Sequence, residues 1–565
     1  MRMPSTSAGP APGPGQPRSA AARRTRLSGL AEDLAQRAPG PARRGRAIAP
    51  RGWALARRHW LLTLLLAAGL VLRVMAEVAY RPALVYIDSA KYLLGAYPGD
   101  DPPGYLLAIK PVLLVGNLDL LAAIQHLLGL AMAIILAAVL VRRGAPRWLA
   151  ALAAAPVLLD GYQLQIEQTI MPDVMFETLL VAGLAALLWH QRPRTWMIIT
   201  CGLALGAAAT ARQVGEILLL PALLYIAITA GGWRRRLTQA ALLVAALAVP
   251  VLVASYQNYL SIHQFSLAPH ASGTIYGRMA EAANCATLKL PSYERQLCPT
   301  AQQKLLGPDG LDHAQGSPIK NFQVPLGMRG AKLVTDFAQR VLVQQPLNVA
   351  SGIGSDAVKL FALRRATSPG DTPISRWQFQ RAYPQYPPYV TVQKGEIVFG
   401  AYAMTGVPET LGTSRQFGGG DPVVVRPLAA FLRAYQLHGG YTPGPLFALA
   451  LLAGLAGSLA ALRRRVTDAE RAAAYACLVF FTGGAAFLLA SDLFEFSWRY
   501  QLPALVTLPP AGAFAITVLL LRHRARRGAG APDPATTPAG QQATAVPPSR
   551  PDHGEPQARD HAPAN

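Results

Sequence analysis

The chain alternates long apolar blocks with short clusters of arginine, and this alternation decides what it can fold into. Uncharged apolar blocks of about 18 or more residues are typical of transmembrane helices. Across the chain 52% of residues are hydrophobic, 15% are charged and the mean hydropathy is +0.25, which excludes a soluble protein of this length. Ten spans are predicted, at residues 61–80, 119–141, 148–162, 173–190, 195–211, 213–230, 237–256, 444–462, 472–490 and 501–521.

The arginine clusters predict how the spans are oriented. They fall on alternate connections, and the positive-inside rule puts all of them in the cytoplasm if the chain crosses ten times with both termini inside. We therefore predict an all-α polytopic protein of the cytoplasmic membrane. The net charge of +23 follows from these clusters beside an anionic lipid surface, so no nucleic-acid partner is expected. The clusters are Arg57-Arg58, Arg142-Arg143, Arg192 to Arg194, Arg234 to Arg236, Arg463 to Arg465 and Arg522 to Arg527.

The spans divide the chain into five parts. The termini are rich in Pro, Gly and Ala and cannot build a core. Apolar residues at helical spacing between 331 and 361 predict one or two amphipathic helices in an otherwise helical or irregular segment outside the membrane. The parts are a disordered basic cytoplasmic tail at 1–56, an N-terminal transmembrane module at 57–256 with a first outer loop at 81–118, an extracytoplasmic segment at 257–443, C-terminal transmembrane helices at 444–521 and a disordered cytoplasmic tail at 522–565.

Four cysteines fall into two groups. Cys201 and Cys477 lie in apolar runs, where a thiol packs as a small hydrophobic group. Cys285 and Cys298 lie close together in the predicted exported segment, where a disulfide between them is expected if the segment is oxidised. Two free thiols remain the alternative.

Asp88 follows the first predicted span within Tyr86-Ile87-Asp88-Ser89-Ala90-Lys91-Tyr92. A carboxylate where the chain leaves the bilayer can serve as a general base for a hydroxyl acceptor. It can also cap the helix-like run from Ser89 to Leu94. The two interpretations are compatible, and the residue alone favours the cap.

The same loop continues with Asp100-Asp101-Pro102-Pro103-Gly104-Tyr105 and then Lys110. One interpretation is a loop and short helix in which Asp101 lines a pocket and Lys110 binds a phosphate. The other is a simple turn, because Asp and Pro favour turns.

Three carboxylates, Glu167, Asp173 and Glu177, stand at the predicted outer mouth of the third and fourth spans. Charges at membrane depth are costly and usually line a cavity or pair with partners. Asp173 also suits a helix N-terminus. Nothing local in the sequence explains Glu167, so Glu167 and Asp173 are predicted to belong to a pocket or an acceptor site.

Two arginines lie on the predicted outer side, against the general charge trend. Arg212 separates two apolar runs and either pairs with Glu216 or another carboxylate or binds an anion. Arg499 and Tyr500 precede the last span, where they either bind a phosphate or serve as a snorkelling cation with an interfacial aromatic ring.

Together these motifs resemble the GT-C superfamily of membrane glycosyltransferases, and in particular the branch with protein O-mannosyltransferases and the aminoarabinose transferase of lipid A. The resemblance rests on Asp88 in the first loop, Asp101-Pro102-Pro103-Gly104, Met171-Pro172-Asp173, the run from Arg212 to Pro221, and Arg499-Tyr500-Gln501-Leu502-Pro503. It covers residues 60–260 and 444–521, and matches 257–443 in placement only. One departure is Ser89, where the family often has a second acidic residue.

The resemblance implies inverting transfer of a monosaccharide from a polyprenyl-phosphate carrier to an acceptor hydroxyl at the outer face of the membrane. Asp88 would be the catalytic base in a catalytic module at 57–256. Arg499, Arg212, Lys110 and Tyr500 would bind the lipid phosphate. No cofactor is assigned; Ser89 weakens the case for a divalent metal without removing it.

Two other classes of protein stay open on the sequence. A transporter or lipid flippase also places ionisable residues in an outer cavity, although it more often has inverted repeats or broken helices. A non-catalytic membrane scaffold needs no convergence of its charges. An enzyme of the type described requires Asp88, Arg212 and Arg499 around one pocket.

Overall fold

The computed structural model describes residues 53–270, 272–402, 407–463 and 466–529, and it is mostly helical. Residues 53–58 are helical, and five further stretches form 3-10 helix, at Gln213–Leu218, Ser292–Leu297, Val358–Phe361, Ile374–Trp377 and Ser414–Phe417. The α-helices are α1 Trp60–Ala79, α2 Ser89–Leu94, α3 Gly104–Val115, α4 Leu118–Arg142, α5 Arg147–Leu159, α6 Gly161–Gln168, α7 Asp173–Leu188, α8 Thr195–Ala211, α9 Leu219–Thr229, α10 Trp233–Ile262, α11 Ser272–Ala282, α12 Ala301–Lys304, α13 Gly307–His313, α14 Pro318–Asn321, α15 Gly330–Gln344, α16 Pro346–Ala357, α17 Arg426–Leu437, α18 Gly444–Ala460, α19 Asp468–Asp492 and α20 Ala504–Ala529.

The ten predicted spans all coincide with helix, and the all-α membrane class is confirmed. Among the described residues, five helices are long and apolar enough to cross a bilayer, or six if a bent pair counts as one span. The number ten therefore stays a prediction. The last helix continues to Ala529, eight residues beyond its predicted end, so the first part of the predicted disordered tail is helical. The remaining tail residues, 1–52 and 530–565, lie outside the described residues.

Close helix contacts hold the bundle together. α8 packs against α7 and α10, and α20 packs against α18 and α19. A Cβ on Gly202 of α8 would lie 2.6 Å from the carbonyl oxygen of Leu243 in α10. The glycine thus allows the two backbones to approach closely, as small residues do in membrane helix pairs.

A bend between α5 and α6 starts the part of the chain that builds the site. The two helices meet at 51°, and Asp160 occupies the junction, where its carboxylate accepts a hydrogen bond from the backbone N–H of Tyr162 at 3.0 Å. Arg365 fills the other side of the bend, with its Nη2 2.8 Å from Asp160 Oδ2. The break in this span is therefore closed by an ion pair.

Segment 257–443 has its own small core around Tyr276, Leu311 and Phe337. α15 and α16 occupy the region in which one or two amphipathic helices were predicted. The sulfurs of Cys285 and Cys298 are bonded to each other.

The strands of this segment were not predicted. β2 (Val390–Gln393), β3 (Glu396–Tyr402) and β4 (Pro408–Thr413) form an antiparallel sheet. The β2–β3 turn uses Lys394 and Gly395, both at positive φ, the combination that a tight hairpin turn requires. β1 (Tyr80–Arg81), directly after α1, pairs with β5 (Val423–Val424).

Hydrogen bonds fasten segment 257–443 to the loop after α1. The Tyr80 hydroxyl donates to the carbonyl of Gln380 at 2.6 Å, and the Tyr383 hydroxyl donates to the carbonyl of Ala83 at 2.7 Å. Tyr80 and Ala83 come shortly before Asp88 in the chain. Segment 257–443 is therefore bonded directly to the loop that contains Asp88.

Candidate active site

Two adjoining cavities lie where the Asp88 loop, segment 257–443 and the loop before α20 meet. The main cavity has a volume of about 790 Å³ and includes Asp88, Lys91 and Arg499 in its wall. The side cavity, of about 130 Å³, includes Arg212 in its wall, together with apolar residues such as Pro172 and Val214. Arg499 and Tyr500 belong to both walls and form the boundary between the cavities.

Asp88 stands at the N-cap position of α2, but its side chain makes no capping hydrogen bond to the described backbone. Its Oδ2 accepts a hydrogen bond from Arg499 Nη1 at 3.3 Å, and its Oδ1 lies 3.7 Å from Lys91 Nζ. The carboxylate therefore faces the main cavity with a cation on each side. Position alone suggested a cap, whereas the contacts are those of a site residue.

These cations set the charge state of Asp88. Burial by itself raises the pKa of the carboxyl, but Lys91 and Arg499 outweigh burial and bring the pKa below its usual value. Asp88 is therefore ionised at neutral pH and can accept a proton.

Arg499 is fixed between two aromatic rings. Its guanidinium lies 4.9 Å from the ring centre of Trp377 and 4.6 Å from that of Tyr500, and its Nη2 donates to the Tyr500 hydroxyl at 3.0 Å. Contact with aromatic rings suits the guanidinium of arginine and restricts the orientation of its donors. The side chain points into the cavities instead of snorkelling away from them.

Asp173 connects the two arginines. Its Oδ1 accepts a hydrogen bond from Arg212 Nη1 and lies 3.7 Å from Arg499 Nε. The side chain of Asp173 is buried at the start of α7 and lines neither cavity, so its prediction as a pocket residue is wrong. The partner of Arg212 is thus Asp173 and not Glu216, and Arg212 also lies 4.4 Å from the ring centre of Tyr500.

The structure changes the assignment of a lysine. Lys110 is on the exposed side of α3, outside both cavities, so its prediction as a phosphate ligand is wrong. Lys91 takes that place, one turn after Asp88, with its Nζ 3.0 Å from Asp101 Oδ2. Asp101 lines both cavities, and its role as a pocket residue stays a prediction.

Glu167 is not a pocket residue. Its carboxylate is fully buried inside the helix bundle, where it pairs with Arg73 at 2.8 Å and His126 at 2.9 Å. The prediction failed because both partners lie on other helices, 94 and 41 positions away in the sequence.

The wall of the main cavity also contains polar groups that sequence analysis did not single out. A hydrogen bond with Asp309 raises the pKa of His313 to about 9, and the Nδ1–Oδ1 distance is 3.2 Å. Burial raises the pKa of Glu495 to about 8. Both shifts favour the protonated form, so they favour a cationic His313 and reduce the negative charge that Glu495 places near Arg499.

Within the described residues, no group of three or more His, Cys, Asp or Glu side chains is placed to hold a metal ion. Asp88 is paired with Lys91 and Arg499 instead.

Residues 88–266 match the family model described as "Dolichyl-phosphate-mannose-protein mannosyltransferase". No curated protein sequence matches the chain. Similar solved structures include the S. cerevisiae protein O-mannosyltransferase Pmt1-Pmt2 complex bound to the sugar donor, with 16% identity, coverage of 42% of this chain and 37% of that chain, and a TM-score of 0.29. They also include the oligosaccharyltransferase AglB of Archaeoglobus fulgidus in complex with an inhibitory peptide and a dolichol-phosphate (13% identity, 85% and 53% coverage, TM-score 0.37) and ArnT of Cupriavidus metallidurans bound to undecaprenyl phosphate (14% identity, 84% and 89% coverage, TM-score 0.29).

The matched part of the chain contains Asp88, Asp173 and Arg212. The resemblance to the GT-C membrane glycosyltransferases that the sequence predicted is thereby confirmed. This chain spans 37% of the length of the first structure named above.

Proposed function

We propose that this chain is a GT-C glycosyltransferase that moves a monosaccharide from a polyprenyl-phosphate carrier to an acceptor hydroxyl at the outer face of the cytoplasmic membrane. The observation that carries the proposal is the convergence of Asp88, Arg499 and Arg212 on two adjoining cavities. The matched family's description names dolichyl-phosphate-mannose, which agrees with a site that combines cations with a side cavity whose wall includes Pro172 and Val214.

In this mechanism Asp88 is the general base. It takes the proton from the acceptor hydroxyl as that oxygen attacks the anomeric carbon, and the bond from that carbon to the phosphate oxygen breaks on the opposite face. The configuration at the anomeric carbon is inverted. The electron pair leaves with the lipid phosphate, so negative charge grows on the phosphate oxygens during the reaction.

Arg499, Arg212 and Lys91 are the groups that stabilise this charge. Fixed cations aimed at a developing anion are worth most in a site that excludes water. Arg499 reaches both cavities, so the phosphate lies at their boundary, with the sugar in the main cavity and the first prenyl units against Pro172 and Val214. A phosphate bound there competes with Asp88 for Arg499 and Lys91, which raises the pKa of Asp88 and makes it a stronger base.

The main cavity offers further groups for a sugar and an acceptor. The side chains of Trp377 and Ser497 belong to its wall. Trp377 Nε1 and Ser497 Oγ are buried and have no hydrogen-bond partner among the described residues, so both are candidates to bond to hydroxyl groups of a substrate. Segment 257–443 supplies most of the wall opposite Asp88 and would shape the acceptor side.

A membrane scaffold or a transporter explains less of this arrangement of residues. A scaffold gives no reason for a base and two arginines to meet at a cavity. A transporter could use the bend between α5 and α6, but Arg365 and Asp160 close that bend.

The test is to supply the purified full-length protein with a panel of polyprenyl-phosphate monosaccharides and to score release of the lipid phosphate. We expect release with at least one donor, and none from the corresponding nucleotide sugar. The absence of release with every donor and acceptor offered would overturn the proposal. Asp88→Asn serves as the matched control for contaminating activity.

A further inference from the structure

A buried network inside the helix bundle lies next to the site without touching either cavity. At the end of α6 the Glu167 carboxylate accepts from Arg73 Nη2 at 2.8 Å, and its other oxygen lies 2.9 Å from His126 Nδ1. Arg73 also donates to the backbone carbonyls of Val157 and Leu158 at the end of α5, at 3.1 and 3.0 Å. A single carboxylate thus ties α1, α4 and the α5–α6 bend together.

The chain after Glu167 leads directly to the Asp88 loop. The backbone N–H of Leu84 donates to the carbonyl of Gln168, and the N–H of Ile170 donates to the carbonyl of Leu84, both at 2.9 Å. The Ser89 hydroxyl then donates to the carbonyl of Ile170 at 2.9 Å. Asp88 is therefore held through the backbone of residues 168–170.

The other end of the same stretch holds the arginines, because Asp173 lies only three residues after Ile170. We call residues 168–173 the bridge. Gln125 of α4 fixes its first half, with its Nε2 donating to the carbonyls of Glu167 and Thr169 at 2.9 and 2.8 Å. The bridge thus joins the carboxylate that faces the cavity to the carboxylate that orients Arg212 and Arg499.

Gly129 of α4 shows how closely the network is packed. A Cβ at this position would overlap the Glu167 carboxylate and the Arg73 guanidinium. The missing side chain gives the ion pair its space, so Gly129→Ala perturbs the network without removing either charge.

We propose that Glu167, Arg73 and His126 are positioning residues for the transfer reaction: they fix the bridge, and through it the placement of Asp88 relative to Arg499. The inference rests on the proposed function, since positioning matters only if Asp88 and Arg499 act on one substrate. A displacement of about 1 Å at a reacting group can cost about 100-fold in rate, so a network outside the site can control the rate without contacting the substrate.

The test compares Glu167→Gln with Glu294→Gln in the full-length protein in lipid nanodiscs. Glu294 is a matched control, because it is also buried and paired with an arginine, Arg340, at 3.0 Å, but lies on a different segment. For Glu167→Gln we expect kcat to fall about 10- to 100-fold with the KM for donor within about twofold. We also expect the amides of Leu84 and Ile170 to lose protection from hydrogen exchange. For Glu294→Gln we expect neither change.

Equal loss of kcat in both variants, or unchanged exchange at Leu84 and Ile170 in Glu167→Gln, would overturn the inference. If Glu167→Gln does not fold, Gly129→Ala is measured in the same way and must give the same pattern. The exchange measurement needs no substrate. It therefore decides whether the network fixes the bridge even if no donor is turned over. A complete lack of turnover would refute the proposed function and leave the result on the bridge unaffected.

Discussion

Asp88 and Arg499 lie 411 positions apart in the sequence, yet Asp88 Oδ2 and Arg499 Nη1 are 3.3 Å apart in space. Their contact joins the loop after α1 to the loop before α20, and Asp173 holds Arg499 from behind, with 3.7 Å between Oδ1 and Nε. Because a ligand phosphate would share Arg499 with Asp88, phosphate binding and base strength are coupled in this site.

Asp88→Asn should reduce sugar transfer by about 10²- to 10⁴-fold, the range for loss of a general base. The amide keeps the shape of the side chain but cannot take a proton. Affinity for the polyprenyl phosphate should stay the same or rise, because Arg499 and Lys91 lose their internal counterion. Transfer and equilibrium binding are measured separately, with Asp336→Asn, which lies outside both cavities, as control. Near-normal transfer by Asp88→Asn would remove Asp88 from the mechanism.

Arg499→Lys should keep the positive charge and still lose about 10²- to 10³-fold in kcat. Lysine lacks the planar fork that stacks between Trp377 and Tyr500. Arg212→Lys should cost less, because Arg212 reaches only the side cavity. Single-turnover release of lipid phosphate checks both variants. Equal activity of Arg499→Lys and the unchanged protein would show that Arg499 acts only as a point charge.

Much of the fold and part of the site could be predicted from sequence, for a physical reason. Charges are rare within membrane-spanning segments, so Asp88, Asp173, Arg212 and Arg499 stood out beside the apolar blocks, and the structure brings them together. The cavity wall from segment 257–443 could not be predicted in this way. Trp377 and His313 occur there in a polar stretch with no periodic pattern, where nothing distinguishes a site residue from a surface residue.

The wrong predictions for Lys110 and Glu167 show a second limit of prediction from sequence. Lys91 and Lys110 both follow Asp88 in the first outer loop, and the sequence does not show which of them faces the cavity. In the structure it is Lys91, because α2 places it one turn after Asp88. In the sequence Glu167 resembled a site residue because its partners, Arg73 and His126, lie far from it along the chain. Local sequence can show that a buried charge needs a partner, but tertiary packing decides whether the partner is a side chain or a substrate.

Lys91→Gln should move the acid limb of the pH–rate profile to higher pH. The pKa of Asp88 lies below its usual value of about 3.9, with Lys91 and Arg499 lowering it against the effect of burial. In kcat/KM, which reports the free enzyme, transfer should therefore be lost only as the pH falls below about 4, where Asp88 takes up a proton. Without Lys91 the pKa rises and the loss begins at a higher pH. The control is Lys332→Gln on the exposed side of α15, and an unmoved acid limb in Lys91→Gln would mean that another group controls it.

Asp160→Asn should destabilise the protein by about 3–5 kcal/mol, the range for breaking a buried ion pair from one side. Asp160 and Arg365 are both almost fully buried, and the variant leaves the Arg365 charge without its counterion at the α5–α6 bend. The Arg365 guanidinium lies 4.5 Å from the ring centre of Tyr162, and this contact keeps Arg365 at the bend in the variant. Unfolding in detergent measures the loss. The double variant Asp160→Asn/Arg365→Met should recover part of the stability, and a further additive loss would contradict this account.

The predicted orientation can be tested by labelling two introduced cysteines in intact cells. Leu326→Cys lies in segment 257–443, where the side chain is fully exposed, and Arg235→Cys lies at the exposed start of α10. A maleimide that does not cross membranes should label Leu326→Cys in intact cells and Arg235→Cys only after permeabilisation, because the arginine clusters favour the cytoplasmic side. The unsubstituted chain, whose free thiols Cys201 and Cys477 are buried, gives the background. The opposite pattern would put Asp88 on the cytoplasmic side and would exclude a site at the outer face.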